Sequence, residues 1–187
     1  MDRAERLQSG GASNLLLWAV SSCLLVLFDQ YTKHLAVVCL KGQKPFVLWN
    51  GVFELFYSEN RGAAFGMLQG RQAFFFVIGI LVLAAAVYVM LRLPSWKNSH
   101  YRWLGICVVF ITSGAVGNMV DRIRQQYVVD FLYFKLIDFP IFNVADIYVT
   151  TATAILVLLM MFFYTDDDLN IFRFSRKEDN LEGGERL

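Results

Sequence analysis

Charged residues are scarce in this chain of 187 residues: they make up 18% of it, whereas 57% of the residues are hydrophobic. Ordinary soluble domains contain about 25% charged residues, so this composition argues against that class and indicates a membrane protein. The formal net charge is only +1 at pH 7. Such a balance provides no extended basic surface, and nucleic acid is not expected as a partner.

Cysteine and histidine are also rare, with three and two residues respectively. Cys23, Cys39 and Cys107 lie far apart within apolar runs, which favours small buried hydrophobic residues over a disulfide framework. His34 and His100 belong to no H-E-x-x-H motif and to no Cys/His cluster. The sequence therefore predicts neither a metal site nor another cofactor.

Long apolar runs dominate the chain instead. A membrane span needs about 20 mostly apolar residues, and four segments meet that condition. We expect a four-span domain over 14–165, preceded by a cytoplasmic segment, 1–13, and followed by a polar, disordered cytoplasmic tail, 166–187. The predicted spans are 14–40, 73–91, 103–122 and 140–165. Four spans place both termini on one side, and basic residues near the span ends favour the cytoplasm.

The connection between the first two spans, 41–71, is rich in β-prone residues. The runs "PFVLW" and "VFELFY" flank Asn50-Gly51, a pair that favours a type I′ turn and therefore predicts a β-hairpin. Its aromatic residues suit the membrane interface. The predicted fold is an all-α membrane bundle of four transmembrane helices, with a small extracytoplasmic β-hairpin or sheet between the first and second helices.

Polar residues of the spans are expected to meet at one membrane face. If the third and fourth spans form a helical hairpin, the end of one and the start of the other adjoin the polar half of the first span and the β-rich connection. The residues concerned are Asp29, Thr32, Lys33, Asn60, Arg61, Asn118, Asp121, Arg122, Asp130, Asn143 and Asp146. Insertion of a charged side chain costs about 2.5–3.5 kcal/mol, so this cluster is a functional-site hypothesis.

Spacing separates two groups of charges within this cluster. Asp29 and Lys33 stand four residues apart, acid first, the order that favours an ion pair on one helix face. A structural ion pair and a direct substrate role are both open for them. Asp121 is followed directly by Arg122, which could neutralise it, and this favours a structural network there.

Asp130 and Asp146 combine apolar surroundings with few basic neighbours. Two carboxyl groups close together in a low dielectric cannot both ionise, so they share a proton. The ionised member can then activate water while the protonated member binds the attacked carbonyl, as in aspartic proteases. A small proton-coupled transporter would use the same acids as a relay. A non-catalytic adaptor would use them to pair helices, and the residues alone leave these alternatives open.

Five short blocks show a family resemblance. In order they are "FDQYTKHLA", "NRGAAFG", "SGAVGNMVDR", "VVDFL" and "FNVADIYVT". They resemble the signature blocks of the lipoprotein signal peptidases (signal peptidase II) from about residue 14 to residue 164. The resemblance implies a bacterial inner-membrane aspartic endopeptidase that removes signal peptides from prolipoproteins, cleaving before the diacylglyceryl-modified cysteine.

The same resemblance implies roles for individual residues. Asp130 and Asp146 are the implied catalytic pair. The implied supporting or substrate-binding residues are Asn60, Gly66, Asn118, Arg122 and Asn143, and the implied structural network is Asp29, Lys33 and Asp121. The expected partners are diacylglyceryl-modified prolipoproteins and membrane lipid. The expected state is a monomer with its active site near the outer face of the membrane.

Overall fold

A computed structural model describes residues 11–62 and 72–172. The elements are α1 (Gly11–Leu40), β1 (Phe46–Trp49), β2 (Phe53–Asn60), α2 (Gln72–Arg92), α3 (Ser99–Gln125), β3 (Val128–Phe134), α4 (Val144–Phe162) and α5 (Asp166–Leu169). In the part of the chain described, α1 to α4 are the four helices long and apolar enough to cross a membrane. The predicted class, a four-helix membrane bundle with a small sheet, is confirmed.

The helices place apolar side chains outside and polar ones inside. On α1, Leu24 is 62% exposed, whereas Asp29 is fully buried and Lys33 is 3% exposed. Lipid tails solvate leucine as well as a protein core does, so helices in a bilayer associate through close packing and polar contacts. This distribution also explains Cys23 and Cys39, which are exposed on α1. The prediction that they are buried is wrong, and it holds only for Cys107.

Small residues on α3 allow α1 and α4 to approach closely. A Cβ atom on Gly117 would lie 2.5 Å from Oδ2 of Asp29. A Cβ atom on Gly114 would meet the backbone oxygen of Ala145 and would lie 2.6 Å from Cγ2 of Val149. Both positions therefore need glycine, because the opposing atoms are backbone or a buried carboxylate.

Gly114→Ala is expected to destabilise the bundle. The added methyl group has no space against the backbone of α4, and overpacking of this kind costs about 1–3 kcal/mol. Thermal unfolding in detergent should show a lower Tm than that of the unsubstituted protein. Ala84→Val is a suitable control because it enlarges an exposed residue of α2. Equal Tm values for Gly114→Ala and this control would contradict the packing argument.

A three-stranded antiparallel sheet, in the order β1-β2-β3, lies at the end of the bundle opposite the described ends of the chain. Its first two strands come from the α1–α2 connection and its third from the α3–α4 connection. The sequence analysis assigned no strand to β3, although "VVDFLYF" is rich in β-branched and aromatic residues. β3 pairs with β2 in a register that sets Asp130 opposite Ser58.

The turn between β1 and β2 differs from the predicted one. A type I′ turn needs positive φ at both central residues, but only Gly51 has it, with φ of 72°. Trp49 pairs with Phe53, which leaves three residues in the loop. The Val52 N–H donates to the Trp49 oxygen at 2.9 Å, which closes a turn over 49–52 with Gly51 as its third residue. This is the position at which a type II turn needs positive φ and therefore favours glycine.

The predicted disorder from residue 166 is wrong for residues 166–172, which form α5 and a 3-10 turn. Thr165 and Asp168 form a capping box that starts α5. The Tyr101 hydroxyl donates to the backbone oxygen of Asp168, and the Tyr88 hydroxyl donates to that of Phe172. These bonds attach the segment to α2 and α3. The remainder of the predicted tail lies outside the described residues.

Candidate active site

Asp146 lies in the first turn of α4. The helix begins at Val144, after the predicted start at 140, because the Asn143 side chain caps it by accepting from the backbone N–H of Asp146 at 3.1 Å. Asp146 Oδ2 in return accepts from the backbone N–H of Asn143 at 3.1 Å. A negative charge in the first turn of a helix is stabilised by the helix dipole.

Asp130 lies on β3 and is 1% exposed. Its Oδ2 accepts from the Asn60 side-chain amide at 2.9 Å, and its Oδ1 accepts from that of Asn143 at 2.6 Å. The segment before α4 is attached to the same strand, because Phe142 exchanges backbone hydrogen bonds with Leu132. β3 and the start of α4 are thus held side by side, and Asn143 contacts both acids.

Three asparagines surround the acid pair with their N–H groups facing it. The side-chain oxygen of each accepts from a group that can only donate: the Gly62 N–H for Asn60, the Lys33 ammonium for Asn118 and the Asp146 N–H for Asn143. The amide nitrogen must then point the other way. Asn118 donates to Asp146 Oδ1 at 2.8 Å, while Asn60 and Asn143 donate to Asp130.

Both acids line one cavity of about 700 Å³. Its polar lining includes Asn60, Arg122, Asn118, Ser58 and Glu59. Its apolar lining includes Val128, Phe139, Pro140, Ile141, Phe142 and Ile147. The cavity is large enough for a peptide segment and places apolar side chains beside the two carboxyl groups.

Arg122 forms no ion pair with Asp121, the neighbouring acid that it could have neutralised. Its guanidinium donates to the backbone oxygens of Gly62 at 3.1 Å and Asn118 at 3.3 Å, and it lies 4.2 Å from the ring centre of Phe75. Arg122 thereby joins the end of the β-hairpin connection to α2 and α3 while it lines the cavity.

The cation that neutralises Asp121 is Lys33. Its ammonium lies 2.9 Å from Asp29 Oδ2 and 3.1 Å from Asp121 Oδ2, with all three side chains almost completely buried. No lysine or arginine within the described part of the chain forms an ion pair with Asp130 or Asp146. The structure thus separates the four acids into two pairs. Asp29 and Asp121 share the Lys33 cation, whereas the hydrogen bonds that Asp130 and Asp146 accept from described residues come from side-chain amides and a backbone N–H group.

Burial and the nearby charge of Asp146 raise the pKa of Asp130 to about 7. The hydrogen bonds from Asn60 and Asn143 act in the opposite direction but are smaller. Because an ordinary aspartate has a pKa near 3.9, Asp130 can hold a proton under conditions in which most carboxyl groups have lost theirs.

Sequence reasoning missed Gln30, which donates to Asp121 Oδ1 at 2.9 Å and to the backbone oxygen of Gly117 at 3.2 Å. Its position directly after Asp29 in an apolar span was the available indication. Gly66, implied as a supporting residue, lies outside the described residues. All other implied site residues lie in the cavity lining or in the hydrogen-bond network around it, and their roles stay predictions.

The fold and the site define a polytopic membrane protein in which two carboxyl groups line one cavity at the sheet end of the helical bundle. The family model described as Signal peptidase (SPase) II matches residues 21–163. The chain belongs to the signal peptidase II family, and it is a peptidase of the bacterial membrane.

Relatives and solved structures agree with this assignment. Lipoprotein signal peptidases of Streptococcus pyogenes serotype M5 and Streptococcus thermophilus are 40% and 38% identical, over 76% and 74% of this chain and 91% and 88% of theirs. Two solved structures of bacterial membrane enzymes, both obtained by the in meso method, are 28% identical to it. Their TM-scores are 0.65 and 0.66, and they cover 78% and 79% of this chain and 87% and 94% of their own.

Proposed function

We propose that this protein removes the signal peptide from lipid-modified bacterial prolipoproteins, cutting before the diacylglyceryl-cysteine with water activated between Asp130 and Asp146. The observation that supports this proposal is the Asn143 bridge, whose side chain and backbone N–H bind one acid each. A bridge of this kind fixes two acids from different elements at one cavity. The relatives named above are lipoprotein signal peptidases, which supports the choice of substrate.

The two acids differ in environment, and this difference supports a division of roles. Asp130 is almost fully buried with a raised pKa and holds the shared proton, while Asp146, at the start of α4, is the base. Asp146 takes a proton from water as the water oxygen bonds to the scissile carbonyl carbon. Asp130 donates its hydrogen bond to the carbonyl oxygen. The C–N bond then breaks, and the leaving amine receives a proton from Asp146.

The position of the cavity supports entry of the substrate from the membrane. The apolar residues Phe139, Ile141 and Ile147 line it beside the carboxyl groups, so an acyl-bearing cysteine can approach while its chains stay in hydrocarbon. We place the sheet and the site at the outer face of the inner membrane, with both termini in the cytoplasm. Since one chain provides all of the described lining, we also propose that the protein acts as a monomer.

Purified protein is expected to cleave a diacylglyceryl-modified precursor and to leave the unlipidated precursor of the same sequence largely uncut. The acyl chains hold the cleavage region at the depth of the acids, so their absence removes the positioning that accelerates the reaction. Gel or mass-spectrometric detection of the released signal peptide measures the result. Equal cleavage of both precursors would contradict lipid-dependent recognition. No cleavage of either, together with proton uptake by reconstituted vesicles, would favour the transporter alternative.

A further inference from the structure

The Lys33 ammonium has three N–H donors and contacts three different acceptors. The ammonium contacts Asp29 Oδ2 at 2.9 Å, Asp121 Oδ2 at 3.1 Å and Asn118 Oδ1 at 2.9 Å. An ammonium group donates and cannot accept, so the Asn118 side chain must present its oxygen to Lys33. A simple ion pair between α1 and α3 would not need the third contact.

The contact between Lys33 and Asn118 determines which group of the Asn118 side chain faces Asp146. With its oxygen held by Lys33, Asn118 directs its amide nitrogen to Asp146 Oδ1 at 2.8 Å. If the amide turned over, its oxygen would face a carboxylate oxygen and the donor would be lost. Asn118 Oδ1 also accepts from the Asn143 amide at 3.2 Å, but the Lys33 contact is shorter and comes from a charged group that cannot accept. The ammonium of Lys33 is therefore the stronger of the two donors that favour the orientation in which Asn118 binds the acid.

The two counter-ions of Lys33 each hold the backbone directly ahead of one acid. Asp29 Oδ1 accepts from the N–H of Ala145 at 3.0 Å, and Ala145 precedes Asp146. Asp121 Oδ2 accepts from the N–H of Val129 at 3.1 Å, and Val129 precedes Asp130. These two contacts cross from α1 to α4 and from α3 to β3, so a single buried cluster fixes the positions of both acids.

We propose that Lys33 is a positioning residue for the acid pair: it orients the Asn118 amide toward Asp146 and holds Asp29 and Asp121 against the peptide N–H groups that precede the two acids. This inference rests on the proposed function, because that function makes Asp130 and Asp146 the reacting groups. It goes beyond an ion pair that only joins helices, and it assigns Lys33 an effect on rate rather than on substrate binding.

The positive charge of Lys33 also acts on Asp130 from across the site and lowers its pKa. The other charged groups around the acid pair are Arg122 and Asp121 from α3 and Asp146 from α4. At the edge of the cavity, Glu59 of β2 pairs with Arg61 at 3.4 Å. Removal of the Lys33 charge should therefore move the loss of the Asp130 proton to higher pH.

The test is the double substitution Lys33→Met with Asp29→Asn. One cation and one carboxylate are removed together, so the buried cluster keeps its formal charge. The amide oxygen introduced at position 29 can still accept from the Ala145 N–H. The variant loses the Lys33 donor to Asn118, while Asp121 keeps its hydrogen bonds from Gln30 and the Val129 N–H. Single removal of Lys33 would instead leave two buried carboxylates without their shared cation.

With the lipidated precursor, the variant is expected to show kcat about 30- to 100-fold lower, since small misplacements at a reacting centre cost about 100-fold. KM should change less than about twofold, because no proposed substrate contact is removed. The high-pH limb of the rate profile, near pH 7 in the unsubstituted protein, should move upward. A merely structural role would lower the amount of folded protein and leave this limb in place.

Two comparisons sharpen the test. Lys135→Met with Glu54→Gln removes another lysine–carboxylate pair, 2.7 Å apart, that is distant from the acids, and it should retain full activity. Asn118→Ala allows a double-mutant cycle. If Lys33 acts through Asn118, the variant that combines both changes should have a kcat at most about threefold below that of the slower of the two separate variants.

Unchanged kcat with an unchanged pH profile in a folded Lys33→Met/Asp29→Asn variant would overturn the inference. A combined variant whose loss in kcat equals the product of the losses in the separate variants would also overturn it. If that variant does not fold, Lys33→Arg replaces it. Its guanidinium also only donates, so folded Lys33→Arg should keep the pH limb and lose less than about tenfold in kcat. A loss above about tenfold in folded Lys33→Arg would contradict the proposal.

A separate measurement distinguishes failure of the proposed function from failure of the positioning inference. If the unsubstituted protein does not cleave the lipidated precursor, the function is wrong, and the positioning inference is judged by infrared titration of the Asp130 carboxyl group without substrate. The expected result is a midpoint near pH 7 that rises in the Lys33→Met/Asp29→Asn variant. An unmoved midpoint would overturn the inference in that case.

Discussion

Asp146→Asn and Asp130→Asn are each expected to lower the cleavage rate of a diacylglyceryl-modified precursor by about 100- to 10,000-fold, the range attributed to a positioned acid or base. An amide at position 146 cannot take a proton from water, and one at position 130 cannot hold the shared proton. Rates of signal-peptide release from equal amounts of folded protein in detergent or vesicles measure the effect.

Asp138→Asn is the matched control for these substitutions. Asp138 is exposed and accepts from the Tyr133 hydroxyl at 2.6 Å, and it does not line the cavity that contains the acid pair. The same chemical change at this position should leave the rate within about twofold, because surface substitutions have small effects. Full activity in folded Asp146→Asn would remove the basis of the two-aspartate mechanism.

The second large effect is expected for Asn143→Ala, which should cleave the lipidated precursor at least about 100-fold more slowly than the unsubstituted protein. This side chain caps α4, donates to Asp130 at 2.6 Å and contacts Asn118 at 3.2 Å. Alanine removes the donor and leaves the first turn of α4, which contains Asp146, without its cap. Misplacement of a reacting group by about 1 Å is sufficient for a loss of this size.

Asn98→Ala separates positioning from helix stability. Asn98 caps α3 by accepting from the N–H of His100 at 3.1 Å, and it lies at the opposite end of the bundle from the acids. Loss of the helix cap should cost each variant about 1 kcal/mol, and Asn143→Ala also loses its hydrogen bond to buried Asp130. Both variants should show a lower Tm, with the larger decrease for Asn143→Ala, and only Asn143→Ala should lose cleavage at a temperature at which both are folded. Comparable activity in the two variants would exclude a positioning role for Asn143.

Hydropathy and spacing were sufficient to predict the four helices, because a membrane span needs a long apolar run whatever its neighbours are. The convergence of Asp29, Asn118 and Asp146 follows from the same reasoning, since alternate helices run parallel and charges avoid hydrocarbon. The β-prone runs on both sides of Asn50-Gly51 also predicted the hairpin. The helices and the hairpin depend on composition within a single segment, and the convergence depends only on the alternating direction of the spans.

Features that depend on distant segments were not predictable in this way. β3 was missed because its strand partner, β2, lies about 70 residues earlier, as the contact between Asn60 and Asp130 shows. The sequence offered Arg122 as a partner for its neighbour Asp121, whereas Lys33 from another helix occupies that position. A short apolar run and an adjacent pair of charges do not reveal such contacts, because tertiary packing selects among several possible partners.

The sheet joins the two loops on one side of the bundle, and this arrangement imposes an order on synthesis. Asn60 is translated long before Asp130, and the backbone partner of Asp29 on α4 is 116 residues away in sequence. Neither acid can receive its full set of donors until the last helix has entered the bilayer. The arrangement of donors around the two acids is therefore completed only after α4 has joined the other helices.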